Sequence, residues 1–172
     1  MNNFKKTFEK KKLAVAQILL TYSDTEDRKK SLNSRETIFE LLRCNVIPIV
    51  NENDSVAVDE LKFGDNDRLA ARVSQIIDAN VLILLSDVEG LFTANPKKNK
   101  NAGLIREVEK INEKIFKMAS AETNYHGTGG MFTKIEAAKI ASESGCDTII
   151  CRGTKKNPIS EYLKKVIGTI FK

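Results

Sequence analysis

The stretch "VIPIVNEND", Val46 to Asp54, joins an almost unbroken apolar run to four polar residues with no glycine between them. A short continuous apolar run, rather than an alternating one, suits a strand covered on both faces, the usual state in a parallel sheet. The same pattern recurs on either side. "LAVAQILLT", residues 13–21, alternates and then runs apolar into "YSDTEDRKKSLNS", which is rich in turn and capping residues; "VLILLSDVEG", residues 81–90, passes from strand to polar loop in the same way. Helical spacing fills the gaps. "RETIFELLRC" places Ile38, Leu41 and Leu42 on one face, with Ser34 as a predicted N-cap, and "DNDRLAARVSQIIDA" does so through Leu69, Val73, Ile76 and Ile77.

Farther on, "TANPKKNKNAG" reads as a solvated loop and "INEKIFKMASA" as a helix. A glycine cluster opens another helix, "DTIICRG" is a strand, "ISEYLKKVI" a helix and "GTIF" a final short strand. Strands alternating with helices predict an α/β protein: a three-layer αβα sandwich with a mostly parallel sheet and helices on both faces. No repeat, low-complexity segment or domain boundary shows, so the expectation is a single domain over residues 1–172 with a frayed basic terminus at 1–12.

Composition narrows the class. Hydrophobic residues at 41% beside charged ones at 30% describe a globular chain. Its apolar runs are far too short to span a bilayer, and its start lacks the pattern of a secretory signal, so a cytoplasmic protein without membrane association is expected. Of the net charge of +5, residues 1–12 supply most, with five lysines against one glutamate. That concentration, with no aromatic-interleaved basic stripe, argues against a nucleic-acid partner. Cys44, Cys146 and Cys151 are an odd set without metal spacing, and read as reduced and structural.

Ligands of open α/β sheets bind beyond the carboxyl ends of the strands, and four polar segments stand there. Asn51 to Asp54 offers amides and a carboxylate suited to a small polar substrate, or simply makes a turn. "GDND", Gly64 to Asp67, stands at a helix entrance and carries more capping residues than one cap requires. Ser86 and Asp87 end the third strand, where they could meet a nucleotide or cap a turn. "HGTGGMFTK", His126 to Lys134, feeds successive backbone N–H groups into a helix N-terminus, a favourable place for anions, and Lys134 adds a positive charge. Met131, Phe132 and Thr133 separate the last glycine from the lysine, so this is not a P-loop. The lone histidine, His126, has no visible partner for catalysis.

In order, "ILLTYSDTEDRKKSLNSRETI", "VIPIVNENDSVA", "FGDNDRLAARV", "LLSDVEGLFTANP" and "GTGGMFTK" resemble the glutamate 5-kinase branch of the amino acid kinase family, from Gln17 to Phe171. The pairing of "NEND" with "GDND" favours that branch over acetylglutamate kinases, aspartokinases and uridylate kinases. The resemblance implies transfer of the γ-phosphoryl group of ATP to the side-chain carboxylate of glutamate, the first step of proline synthesis, with Mg2+. It implies that Asn51, Asp54 and Asn66 bind glutamate and that Asp67 organises catalytic lysines. Ser86 and Asp87 would lie at the nucleotide, and Thr128, Gly129, Gly130, Met131, Phe132, Thr133 and Lys134 would wrap its phosphates, with Lys134 stabilising the group in transfer.

The chain also departs from the family pattern. Phe92 and Asn95 stand where tyrosine and aspartate are usual, and Phe132 stands where a small residue is usual, close enough in sequence to crowd the phosphates. The "VKxGS"-like strand with a second lysine and the "SGA" glycine loop that open the family's domain do not occur in these residues, and the RNA-modification-type domain that many bacterial members append is expected to be missing after Lys172. The expectations are therefore impaired turnover, with a homo-oligomer or a complementing N-terminal fragment completing the site, or alternatively a nucleotide-binding remnant with a regulatory role.

Overall fold

A computed structural model of the chain describes residues 1–55, 66–96, 98–120, 130–165 and 167–172. The chain divides into two compact units, Met1–Leu69 and Ala70–Lys172.

The first unit holds α1 (Asn2–Glu9), β1 (Ala14–Leu20), α2 (Tyr22–Glu26), α3 (Arg28–Arg43) and β2 (Val46–Glu52). β1 and β2 pair in parallel from Ala14↔Val46 to Leu20↔Glu52. The polar segment expected to be turns instead forms α2 and the start of α3. Asp27 caps α3 by accepting a 2.9 Å hydrogen bond from the Lys30 amide. Ser34, the predicted cap, lies inside that helix and donates to the Lys30 carbonyl at 3.0 Å. Periodicity missed this start because only Ile38 of α3 is buried, so its first two turns carry no apolar stripe.

β1 is also less covered than its composition predicts. Leu20 is buried, but Leu19 is 44% exposed. Successive side chains of a strand point to opposite faces of its sheet, so neighbouring residues meet different surroundings. The basic terminus holds α1, which buries no residue and carries an exposed ion pair, Lys5 to Glu9 at 3.9 Å. Such a pair adds only about 0.3–0.5 kcal/mol.

α4 (Asn66–Ile76) leads into the second unit, followed by β3 (Val81–Ser86), β4 (Glu107–Val108), α5 (Glu113–Ser120), α6 (Met131–Ser142), β5 (Asp147–Arg152), α7 (Pro158–Lys165) and β6 (Thr169–Phe171). The described strands of this unit form one sheet in the order β3-β5-β6-β4. β3 with β5 and β4 with β6 are parallel, while β5 with β6 is antiparallel. The mostly parallel α/β architecture is therefore present, although the described strands make two sheets rather than one. β4 escaped the sequence because two residues carry no period.

The sheet of this unit is covered on both faces. Leu84 and Ile150 pack with Met131, Ile135 and Ala138 of α6, together with Leu91 and Phe171. Ile149 and Cys151 face the other way, onto Tyr162 of α7. Gly168 allows the close return of β6, since a Cβ there would lie 2.7 Å from the Ile150 carbonyl oxygen and 2.9 Å from the Tyr162 ring. All three cysteines are free. Cys146 and Cys151 are buried, and burial pushes both thiols up, whereas Cys44 is exposed at the end of α3.

Candidate functional site

The described residues among those expected at the nucleotide stand on α6 and its neighbours. α6 and β5 are joined by residues 143–146, with the Cys146 amide donating to the Ala141 carbonyl at 3.2 Å, so the strand runs back antiparallel to the helix. Twelve helical residues rise about 18 Å and six strand residues about 20 Å. The start of α6 therefore lies at the carboxyl edge of β5, and β3, parallel to β5, ends at the same edge. Gly130, Met131, Phe132, Thr133 and Lys134 thus share one sheet edge with Ser86 and Asp87. Thr128, Gly129 and His126 lie outside the described residues.

Local chemistry sorts the side chains of the first turn. Gly130 is the N-cap, extended at φ −103°. Thr133 donates its hydroxyl to the Gly130 carbonyl at 2.9 Å. Met131 and Thr133 turn into the core, Lys134 is half-buried, and Phe132 is 38% exposed. The Phe132 ring lies against Phe116 of α5, with centroids 5.4 Å apart and planes at 55°. At the end of β3 the buried Ser86 side chain donates to the Asp87 carboxylate at 3.2 Å, and the Ser86 backbone carbonyl accepts from the Gly153 amide at 2.7 Å.

The residues expected on the acceptor side, Asn51, Asp54, Asn66 and Asp67, belong to the first unit. β2 continues two residues beyond its apolar run, so Asn51 is a strand residue, exposed and in register with Leu19. Asn53 anchors the following turn by donating its amide to the Leu20 carbonyl at 2.8 Å. Asp54 is exposed in that turn. Asn66 and Asp67 open α4, with Asn66 exposed and Asp67 half-buried; an acidic residue in a first helical turn complements the helix dipole.

Two features escaped the sequence reading. Asp24, beside the carboxyl end of β1, accepts 2.7 Å hydrogen bonds from the amide and the hydroxyl of Thr21. Burial alone would raise its carboxyl, but those bonds and Lys30 outweigh it and hold the group below the usual carboxylate range. The second is a charged cluster at the edge shared by Ser86, made of Glu89, Arg152 and Lys155. The strand-end rule that selected Ser86 applies equally to the "CRG" closing β5, and could have found it.

The amino acid kinase family profile matches residues 1–152. This chain belongs to the amino acid kinase family. It is similar to a protein of Pelagibacter ubique named glutamate 5-kinase, 53% identical over 171 residues that cover 99% of this chain and 46% of that protein. A glutamate 5-kinase of Clostridium acetobutylicum is 45% identical, with 99% and 64% covered. The chain thus spans about half the length of the first of these relatives. Among solved structures, an isopentenyl phosphate kinase superposes with a TM-score of 0.64 at 19% identity, over 97% of this chain and 63% of that one. A UMP kinase from Ureaplasma parvum gives 0.61 at 15% identity, covering 96% and 63%. At those identities the likeness concerns the fold of the amino acid kinases alone.

Proposed function

We propose that these residues serve an ATP-dependent phosphoryl transfer to the side-chain carboxylate of glutamate, as the names of the similar proteins suggest. The observation that supports it best is the gathering of Ser86, Asp87 and the lysine-bearing start of α6 at one sheet edge. Phosphoryl transfer needs little covalent help: positioning and positive charge near the γ-phosphate supply most of the rate. In this reading a glutamate carboxylate oxygen bonds to the γ-phosphorus, the bond to the β–γ bridging oxygen breaks, and ADP leaves. The acceptor is already an anion at neutral pH, so no general base is required.

Lys134 and the amides of the first turn of α6 stabilise charge on the moving group, while Ser86 and Asp87 hold the nucleotide. Asn51, Asp54 and Asn66 bind glutamate, the amides donating to its carboxylates and Asp54 meeting its ammonium, and Asp67 orients a lysine. Magnesium would enter with the nucleotide, as part of the substrate; among the described residues no group of three or more His, Cys, Asp or Glu could hold a metal ion.

For the 172 residues tested by themselves we propose reduced turnover, since they span 46% of the length of a 53% identical relative. The test is glutamate-dependent ADP release by the chain and by Lys134→Gln, beside ATP titration by calorimetry. The expected result is a rate lower by about 100- to 1,000-fold in the variant, the cost of losing one preorganised donor. Equal rates in both would sink the assignment of Lys134. ATP binding with no glutamate-dependent ADP release would favour the alternative, a nucleotide-binding chain without transfer.

A further inference from the structure

The cluster of Glu89, Arg152 and Lys155 has a composition that a surface ion pair does not explain. Arg152 Nη1 lies 3.9 Å and Lys155 Nζ 3.6 Å from the same Glu89 Oε1, both beyond a good hydrogen bond. Two cations share one carboxylate, leaving an excess positive charge. The Arg152 Nε is buried and has no hydrogen-bond partner among the described residues. A guanidinium carries five donors in a planar fork matched to phosphate oxygens, and here they are largely unused. Both cationic side chains are nevertheless about 40% exposed, Arg152 at 40% and Lys155 at 42%, so a ligand can reach them.

Position decides what that ligand is. Arg152 is in register with Ser86 on the neighbouring parallel strand, and residues in register on adjacent strands project from the same face. That face is the one packed by α6 through Ile150 and Leu84. The two strand ends are locked together, because the Gly153 amide donates to the Ser86 carbonyl at 2.7 Å and a Cβ on Gly153 would lie 2.8 Å from that of Leu85. The cationic pair therefore shares its edge with the N-terminus of α6, where backbone amides also favour an anion.

We propose that Arg152 and Lys155 form a further nucleotide-binding pair that takes phosphate oxygens of the nucleoside triphosphate, with Glu89 limiting their strength. This rests on the nucleotide reading above. Glu89 offsets part of the charge of the two cations in the absence of ligand and opposes the incoming anion, so removing its charge strengthens binding where removing Arg152 weakens it.

The experiment is calorimetric titration of ATP, ADP, AMP and inorganic phosphate into the chain and into Arg152→Met, Lys155→Met and Glu89→Gln, with circular dichroism verifying the fold of each. Arg152→Met is expected to weaken ATP binding on the order of tenfold, as for loss of one charge-assisted contact. Lys155→Met weakens it less, Glu89→Gln tightens it, and affinity falls in the order ATP, ADP, AMP. If Arg152→Met does not fold, the opposite sign at Glu89→Gln still tests the proposal. Shifts of the same sign at Arg152 and Glu89 would mark a structural ion pair and overturn it, with the nucleotide reading intact. So would unchanged ATP affinity in all three variants, or phosphate bound as well as ATP. No ATP binding by the unsubstituted chain would overturn both readings.

Discussion

Replacing Thr169 by valine tests how the loop after β3 is held. The Thr169 side chain is fully buried, accepts from the Leu91 amide at 2.8 Å and donates to the Ile105 carbonyl at 2.6 Å. Gly90, just before Leu91, comes so close that a Cβ would lie 2.5 Å from the same hydroxyl. One oxygen therefore pins both the loop that leaves Ser86 and Asp87 and the segment entering β4. Valine keeps the shape and removes both bonds. A buried polar group left unpaired costs about 1–3 kcal/mol. Leu91 is fully buried and Ile105 only partly, so the Leu91 amide weighs more, and the sum is about 2–4 kcal/mol, a large share of the 5–15 kcal/mol of an ordinary domain. Urea unfolding followed by circular dichroism measures it, with Thr169→Ser expected to recover most of the loss. A cost below about 0.5 kcal/mol, the range of an ordinary surface substitution, would refute the reasoning.

Phe132→Ala removes the ring contact with Phe116, for an expected loss of about 1–2 kcal/mol in urea unfolding, with the aromatic pair contributing about 0.5–1.5 of it. Because the ring lies on α5, ATP affinity is expected not to rise; a clear gain would show that Phe132 does crowd the phosphates. Asp24 supplies a pH dependence. Its folded carboxyl sits below the ordinary 3.8, so its stabilisation is fully present above that value and is lost as pH falls through the lower folded one. The stability gap between the chain and Asp24→Asn is expected to be largest near neutrality and to shrink in acid; a gap that is constant with pH would contradict the charge-based account.

Much of the architecture was legible because its signals are local. The apolar runs before Asn51, Ser86 and Gly153 are β2, β3 and β5, and the helical spacing of Leu69 and Ile76 is α4. Asn51 and Ser86, expected at strand ends, lie in the last residues of β2 and β3, and the glycine cluster marked the start of α6. Where no apolar stripe exists, as in the opening turns of α3, the pattern was silent. A run such as "LAVAQILLT" shows what could be buried, while the 44% exposure of Leu19 depends on what packs against its face of the sheet.

The sequence by itself determined the apolar strands β2, β3 and β5, the helices with an apolar stripe, and which chemistry stands at their ends, because period and capping act over a few residues. Only the tertiary structure decided that β6 runs against β5, that Phe132 meets Phe116, and that Arg152 stands in register beside Ser86. Those are pairings between residues 16 to 66 positions apart, set by strand register and core packing, which no window along the chain contains.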